Sequence, residues 1–230
     1  MFKKIFAISF AIILAGCNTT VDSRRGFAPQ SESLIKATIS VGAMPSSPVL
    51  IRIFKQSHEL ELWRMIDDGS YALVKTYSIC AFSGDIGPKN KKGDRQAPEG
   101  FYSIGPSQLN YNSIRFLSLN TGYPNIFDRQ HGFTGSDLMI HGGCDSAGCY
   151  AIEDVPAQEV FTAVRDALKA KQHAVQLQIY PFRMNTWNMY LNGVNKHIAF
   201  WRQLKIGYDK FELTNRELNV NVINKKYVIK

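Results

Sequence analysis

The residues best able to do chemistry lie in one stretch, Asp137-Leu138-Met139-Ile140-His141-Gly142-Gly143-Cys144-Asp145-Ser146-Ala147-Gly148-Cys149-Tyr150. An imidazole closes a short apolar run, a glycine-rich turn follows, and a Gly-Cys pair precedes a helix start. A histidine beside a thiol can take its proton and leave a nucleophilic thiolate. A helix N-terminus favours that thiolate through its dipole. Backbone N–H groups of Gly148, Cys149 and Tyr150 could hold an oxyanion, and glycines permit the sharp turns such a loop needs. The combination suits acyl transfer through a thioester, with Cys149 as nucleophile and His141 as base. His131, upstream in a polar loop, is the alternative base or a lining residue of a substrate groove. His141 is preferred because an apolar strand fixes it. His141, Cys144, Asp145 and Cys149 are also metal-capable types, but the second ligand pair of a closed zinc site is missing. No metal and no cofactor are expected.

The elements that must position these groups follow from periodicity. Val49, Ile51 and Ile53 alternate with Leu50, Arg52 and Phe54, as in a strand. Leu60–Met65 reads as a second strand, Asp67-Asp68-Gly69-Ser70 as a turn, and Tyr71–Ala81 as a third strand. Residues 84–100 form a long charged loop punctuated by Gly and Pro, a length usually tied to function or disorder. Phe101–Ile104 and Ile114–Leu119 are further strands. After Cys149, Asp154 as N-cap and Pro156 in the first turn open a helix with Val160, Val164 and Leu168 on one face. Ala174–Tyr180 is another strand, and His197–Leu213 a second helix. The chain beyond Asn215 carries a weak strand signal at Val220–Ile223 and Tyr227–Ile229. The expected fold is mainly β with packed helices, an α+β domain.

Of the 230 residues, 45% are hydrophobic and 20% charged, and the formal charge is +8. That is an ordinary globular balance. No run of like charges marks a nucleic-acid interface, and none is expected. The N-terminus is different. Lys3 and Lys4 precede an apolar stretch, Ile5–Leu14, too short for a stable membrane anchor and laid out like an export signal. Cys17 directly after Leu14-Ala15-Gly16 resembles the bacterial lipobox, whose Cys becomes acylated and heads the mature chain. Asn18 follows rather than an Asp, which favours the outer membrane. The expected organisation is a lipoprotein signal peptide at 1–16, the lipidated Cys17 and a flexible Ser/Thr/Pro/Gly-rich tether at 17–47, a catalytic domain at 48–182, and a helical extension with a tail at 183–230. The expected location is the periplasm, held to a membrane through lipid.

Six segments together resemble a known family: Val49–Lys55, Gly93–Tyr102, Arg129–Gly132, Leu138–Gly142, Ser146–Tyr150 and Tyr180–Met184. Ser146-X-Gly148-Cys149 downstream of an Ile-His-Gly strand end looks like the active site of the L,D-transpeptidase (YkuD) family, in its YafK branch. The resemblance implies a YkuD-like β-sandwich catalytic domain. It also implies an acyl-enzyme on the Cys, formed beside diaminopimelate in peptidoglycan stem peptides. It makes Cys149 the nucleophile and His141 the base, with the Gly142 carbonyl orienting the imidazole. The chain departs from the family pattern in having Ala147 where a second His is usual, and Tyr150-Ala151 where an Arg or Asn follows. The usual base-to-Cys spacing fits His131 better.

Arg95, Glu99, Ser146 and Arg183, with His131, are the candidates for holding the charged stem peptide. Tyr102, Tyr111 and Tyr150 line a groove or simply pack. If Cys149 stays free, Cys80 and Cys144 are left to pair in an oxidising compartment. Both staying reduced, or a Cys144–Cys149 bond that silences the site, are the other readings. The acyl group can pass to an amine, joining stem peptides or attaching a lipoprotein. Passed to water, it releases a crosslink or a peptidoglycan-bound lipoprotein. A lipoprotein that binds the wall without catalysis is the rival, and Cys149→Ala separates the two.

Overall fold

The computed structural model describes residues 23–230, so the signal-peptide and Cys17 expectations lie outside the described residues. A 3-10 turn at Ser23–Phe27 and helix α1 (Glu32–Ser40) lead into β1 (Val49–Phe54), β2 (Glu59–Met65), β3 (Tyr71–Ser78), β4 (Ala81–Phe82), β5 (Gly100–Ile104), β6 (Leu109–Asn110) and β7 (Ser118–Asn120). There follow α2 (Ile126–Gln130), β8 (Met139–His141), β9 (Tyr150–Ala151), α3 (Asp154–Lys169) and β10 (Val175–Tyr180). The chain closes with α4 (Thr186–Leu191), α5 (Ile198–Thr214), β11 (Val220–Ile223) and β12 (Lys226–Ile229). The α+β class is as expected.

Two five-stranded sheets form, ordered β3-β2-β1-β10-β5 and β4-β9-β8-β7-β6, beside a β11-β12 hairpin. Both are mixed. β1 runs parallel to β10, and β8 parallel to β9, while the remaining pairs are antiparallel. β1 is buried on both faces because each of its alternating sets has its own core. Val49, Ile51 and Ile53 join a core shared by both sheets and by α3, through Val160, Phe161 and Val164. Leu50 and Phe54 join a second core under α5, with Trp201, Leu204, Tyr208 and Phe211. Between these apolar groups lies the buried Arg52. It pairs with Glu212 at 2.7 Å and lies over the Phe211 ring at 4.4 Å, so charge and quadrupole replace part of its lost water, while Nε and Nη2 have no hydrogen-bond partner among the described residues.

The tether expected over 17–47 gives way from Ser23 onward to ordered structure. Ser31 caps α1 by accepting the Leu34 N–H, and Leu34 is fully buried. Arg165 on α3 donates to the carbonyls of Gly26 and Ala28, both at 2.7 Å. Gln30 bridges Asp166 and Arg64. The Ser- and Pro-rich composition concealed a segment that docks on the domain through these polar contacts and the buried Leu34. The C-terminal extension is likewise only partly helical. Its last residues form the hairpin, and Tyr227 joins the second core. Among the described residues, no helix is long and apolar enough to cross a membrane.

Candidate active site

β8 delivers His141 and β9 delivers Cys149. The parallel register pairs Ile140 with Tyr150 and His141 with Ala151. Extended by one residue, it sets Cys149 opposite Met139, on the face of β8 that His141 also uses. The Met139 N–H accordingly points at Cys149 Sγ, 3.4 Å away. The intervening loop is pinned at three points. Ile152 N–H donates to the His141 carbonyl at 3.0 Å, Glu153 N–H to the Gly143 carbonyl at 3.0 Å, and Gly142 N–H to the Leu117 carbonyl at 3.2 Å.

Only glycine fits at 142. A Cβ there would lie 2.6 Å from Asp154 Oδ1, 2.8 Å from Phe116 Cβ and 3.0 Å from the Arg115 carbonyl. Gly148 has φ +132°, a conformation that other residues avoid. Asp154 is the first residue of α3 rather than its cap. Its carboxylate reaches back to accept the Gly143 N–H at 2.8 Å, which spends it on the loop.

His141 is buried, and its Nδ1 lies 2.6 Å from the Gly142 carbonyl. A carbonyl can only accept, so Nδ1 carries a proton, and in the neutral ring the lone pair lies on Nε2. Cys149 is a free, half-buried cysteine. Both side chains open into a cleft of about 350 Å³, which Asn110, Ser113, Arg115, Asp145 and Ser146 also line. Burial pushes the Cys149 thiol up, and the Met139 N–H and the Arg115 guanidinium pull the other way. The helix-dipole activation expected from the sequence is absent. Cys149 abuts a β-strand, and α3 starts five residues later. Ser146 Oγ donates to the Cys149 carbonyl at 2.7 Å and accepts the Gly148 N–H at 3.2 Å. Of the expected oxyanion donors, Gly148 is therefore already engaged. Tyr150 turns its ring inward, and its hydroxyl donates to the Pro98 carbonyl at 2.6 Å.

Cys80 and Cys144 are joined as a disulfide, which ties the loop after β8 to the segment between β3 and β4. The other expected site residues lie elsewhere. His131 ends α2, with Nδ1 2.8 Å from the Phe127 carbonyl, and lines a different cleft with Phe133 and Phe200. Its ring lies 4.1 Å from that of Phe127 at a tilt of 34°, so the polar loop read from the sequence is in fact an aromatic corner. Glu99 is 1% exposed, and its carboxylate faces Lys55 Nζ at 3.1 Å, the Gly87 N–H and the Trp201 indole. A carboxylate so fully engaged is a structural counter-ion and not a groove residue. Arg183 pairs with Glu59 and Glu61 at 2.7 Å on the other sheet. Arg95 is exposed at φ 52° in the long loop and does not line the Cys149 cleft. Tyr102 and Tyr150 are core, and Tyr111 packs between Phe27 and Phe161.

Arg115 was not anticipated. It sits in the loop before β7, and its guanidinium grips Asp145 across the cleft mouth. No spacing rule links it to Cys149. The available signal was a lone Arg in an otherwise uncharged stretch, Asn110–Leu119, that the strand order brings beside β8.

No family model matches the chain. Among solved structures, the chain is similar to the helical cell shape determining protein Pgp2 of Campylobacter jejuni (15% identity, 82% of this chain and 80% of that one, TM-score 0.45) and to Bd1075 of Bdellovibrio bacteriovorus (20%, 73% and 58%, TM-score 0.41). The sequence is 40% identical over 222 residues to a protein of Escherichia coli K12 named "Putative L,D-transpeptidase YafK", a match spanning 96% of this chain and 85% of that one. The same figures hold for its counterpart in Escherichia coli O157:H7. At that identity across nearly the full length of both chains, this protein belongs to the YafK-type L,D-transpeptidase family.

Proposed function

We propose that the protein is a thiol acyl-transfer enzyme of the cell wall, acting on peptidoglycan stem peptides at diaminopimelate from a lipid anchor at Cys17 on the periplasmic side of the outer membrane. The observation that carries this reading is the His141 imidazole, held at Nδ1 by the Gly142 carbonyl, opening into one cleft with the free Cys149. His141 Nε2 takes the thiol proton as sulfur attacks the scissile carbonyl. The oxyanion forms against the backbone N–H of Cys149. Collapse breaks the C–N bond, and the leaving amine takes the proton back from His141. An incoming amine or water, deprotonated by the same Nε2, then attacks the thioester and returns the thiol. The acceptor decides between crosslink formation and release of a crosslink or of a bound lipoprotein. The family name and the disulfide, which belongs to an oxidising compartment, both support the reading.

The test is digestion of purified wall with wild-type and Cys149→Ala protein, read by muropeptide mass spectrometry. Wild type should change the crosslinked or lipoprotein-linked species and Cys149→Ala should not. Equal effects of the two proteins would mean that the chain only binds the wall.

A further inference from the structure

Arg115 is the one side chain with a permanent positive charge among the described residues that line the Cys149 cleft. It lines the same cleft as Cys149, and its guanidinium favours the Cys149 thiolate. Lys89 acts on the same thiol, but it is 4% exposed and engaged by Asp94 and the Lys91 carbonyl. Arg115 faces the cleft from a braced loop. Arg25 lies 4.6 Å over the neighbouring Phe116 ring, and Tyr111 is clamped between Phe27 and Phe161 at 4.9 and 5.0 Å. Its partner is Asp145, four residues from Cys149, and the two side chains are 46% and 61% exposed.

An exposed Arg–carboxylate pair gains little over its hydrated separate groups. A second carboxylate can therefore take the guanidinium at small cost, and the planar fork suits it in two-point contact. We propose that Arg115 is a carboxylate-reading subsite of the Cys149 cleft, and that Asp145 is the internal carboxylate occupying it until a substrate carboxylate displaces it. The ligand class is a peptide with a free carboxylate close to the reacting carbonyl. Asp145 then acts as a built-in competitor that weakens binding of neutral peptides less than of acidic ones. For its peptide substrate this inference rests on the acyl-transfer reading. For its anion preference it does not.

The experiment uses Cys149 as its own reporter. The full-length protein is alkylated with iodoacetate (anionic) and with iodoacetamide (neutral) at low ionic strength, and the Cys149 peptide is followed by mass spectrometry. Thiol ionisation affects both reagents alike, so the ratio of rates isolates the subsite. Arg115→Gln should lower the iodoacetate-to-iodoacetamide ratio by about tenfold, the low end of electrostatic focusing in a cleft. Asp145→Asn should raise it, and Arg115→Lys should keep part of it. A ratio untouched by Arg115→Gln, or lowered by Asp145→Asn, overturns the proposal. A second arm compares KM for a stem peptide with a free terminal carboxylate and for its amide. Arg115→Gln should raise the acid-to-amide KM ratio, and an unchanged ratio overturns the substrate assignment. If wild-type Cys149 acylates with neither peptide, the acyl-transfer reading fails, while the alkylation ratio still decides the subsite.

Discussion

At the scale of single residues, the surroundings of Cys149 favour its thiol over the thiolate. Burial outweighs the Met139 N–H and the Arg115 guanidinium, and the Cys149 thiol is pushed up. In the reaction proposed above the thiol loses its proton during attack, which gives the Nε2 lone pair of His141 its role as base. The Gly142 carbonyl selects the neutral tautomer with its proton on Nδ1. The sign of the pH dependence follows. Iodoacetamide alkylation of Cys149 should climb steadily with pH, with a midpoint above that of an unstructured cysteine, about 8.5. Arg115→Gln should move the midpoint higher, because it removes a charge that favours the thiolate. Rates measured from pH 6 to 10 check this, and a flat profile reaching below pH 7 would show a preformed thiolate instead. His141 and Cys149 were legible in the sequence because strand, glycine turn and Gly-Cys are contiguous. Arg115 was not, since its place beside them depends on β7 pairing with β8, with Ser118 opposite His141.

At the scale of elements, the long loop at residues 84–100 is a strap around a buried ion pair. Lys55, just past β1, is fully buried and donates to the carbonyls of Gly87 and Ala97 at 2.9 and 3.1 Å. Glu99 neutralises it and also accepts from the Gly87 N–H and from Trp201 on α5. One pair thereby joins β1, both ends of the loop and the C-terminal helix. Burial lowers the Lys55 pKa and the Glu99 carboxylate raises it, burial being the larger effect. Removing one partner strands a buried charge, which costs about 3–5 kcal/mol. Glu99→Gln should thus lower the urea-unfolding free energy by about that amount, and Lys55→Met added to it should restore part of the loss. Substrate KM in the folded fraction should stay at its wild-type value, and a KM defect without a stability loss would return Glu99 to the groove. Strand periodicity made β1, β2, β3, β5 and β10 readable, and the apolar stripes made α3 and α5 readable. The short elements were less so. Ile114 is 87% exposed, and the strand read there shrinks to β7. α2 and α4 are too short to show a stripe, and they exist through the Asn125 and Asn185 caps and tertiary contacts.

At the scale of the whole molecule, the division at residue 182 read from the sequence marks a change of element type and not of body. α5 covers the outer face of the first sheet, and Trp201, Leu204 and Phe211 are fully buried against Leu50, Phe54 and Tyr180. The same β1 contributes its other face to the core that α3 shares with the active-site sheet. β1 is thus the middle layer of a stack in which each face requires its own cover, so the extension and the strands should open as one cooperative unit. Leu204→Ala, which empties a fully buried position, should cost about 2–5 kcal/mol. If the layers are coupled, native-state hydrogen exchange should show protection falling equally for the β1 and α5 amides. A drop confined to α5 would mean that the extension unfolds by itself. The cleft with His141 and Cys149 is built on the opposite side of that shared strand layer, so in a coupled molecule the same variant should lose activity only in step with its unfolded fraction.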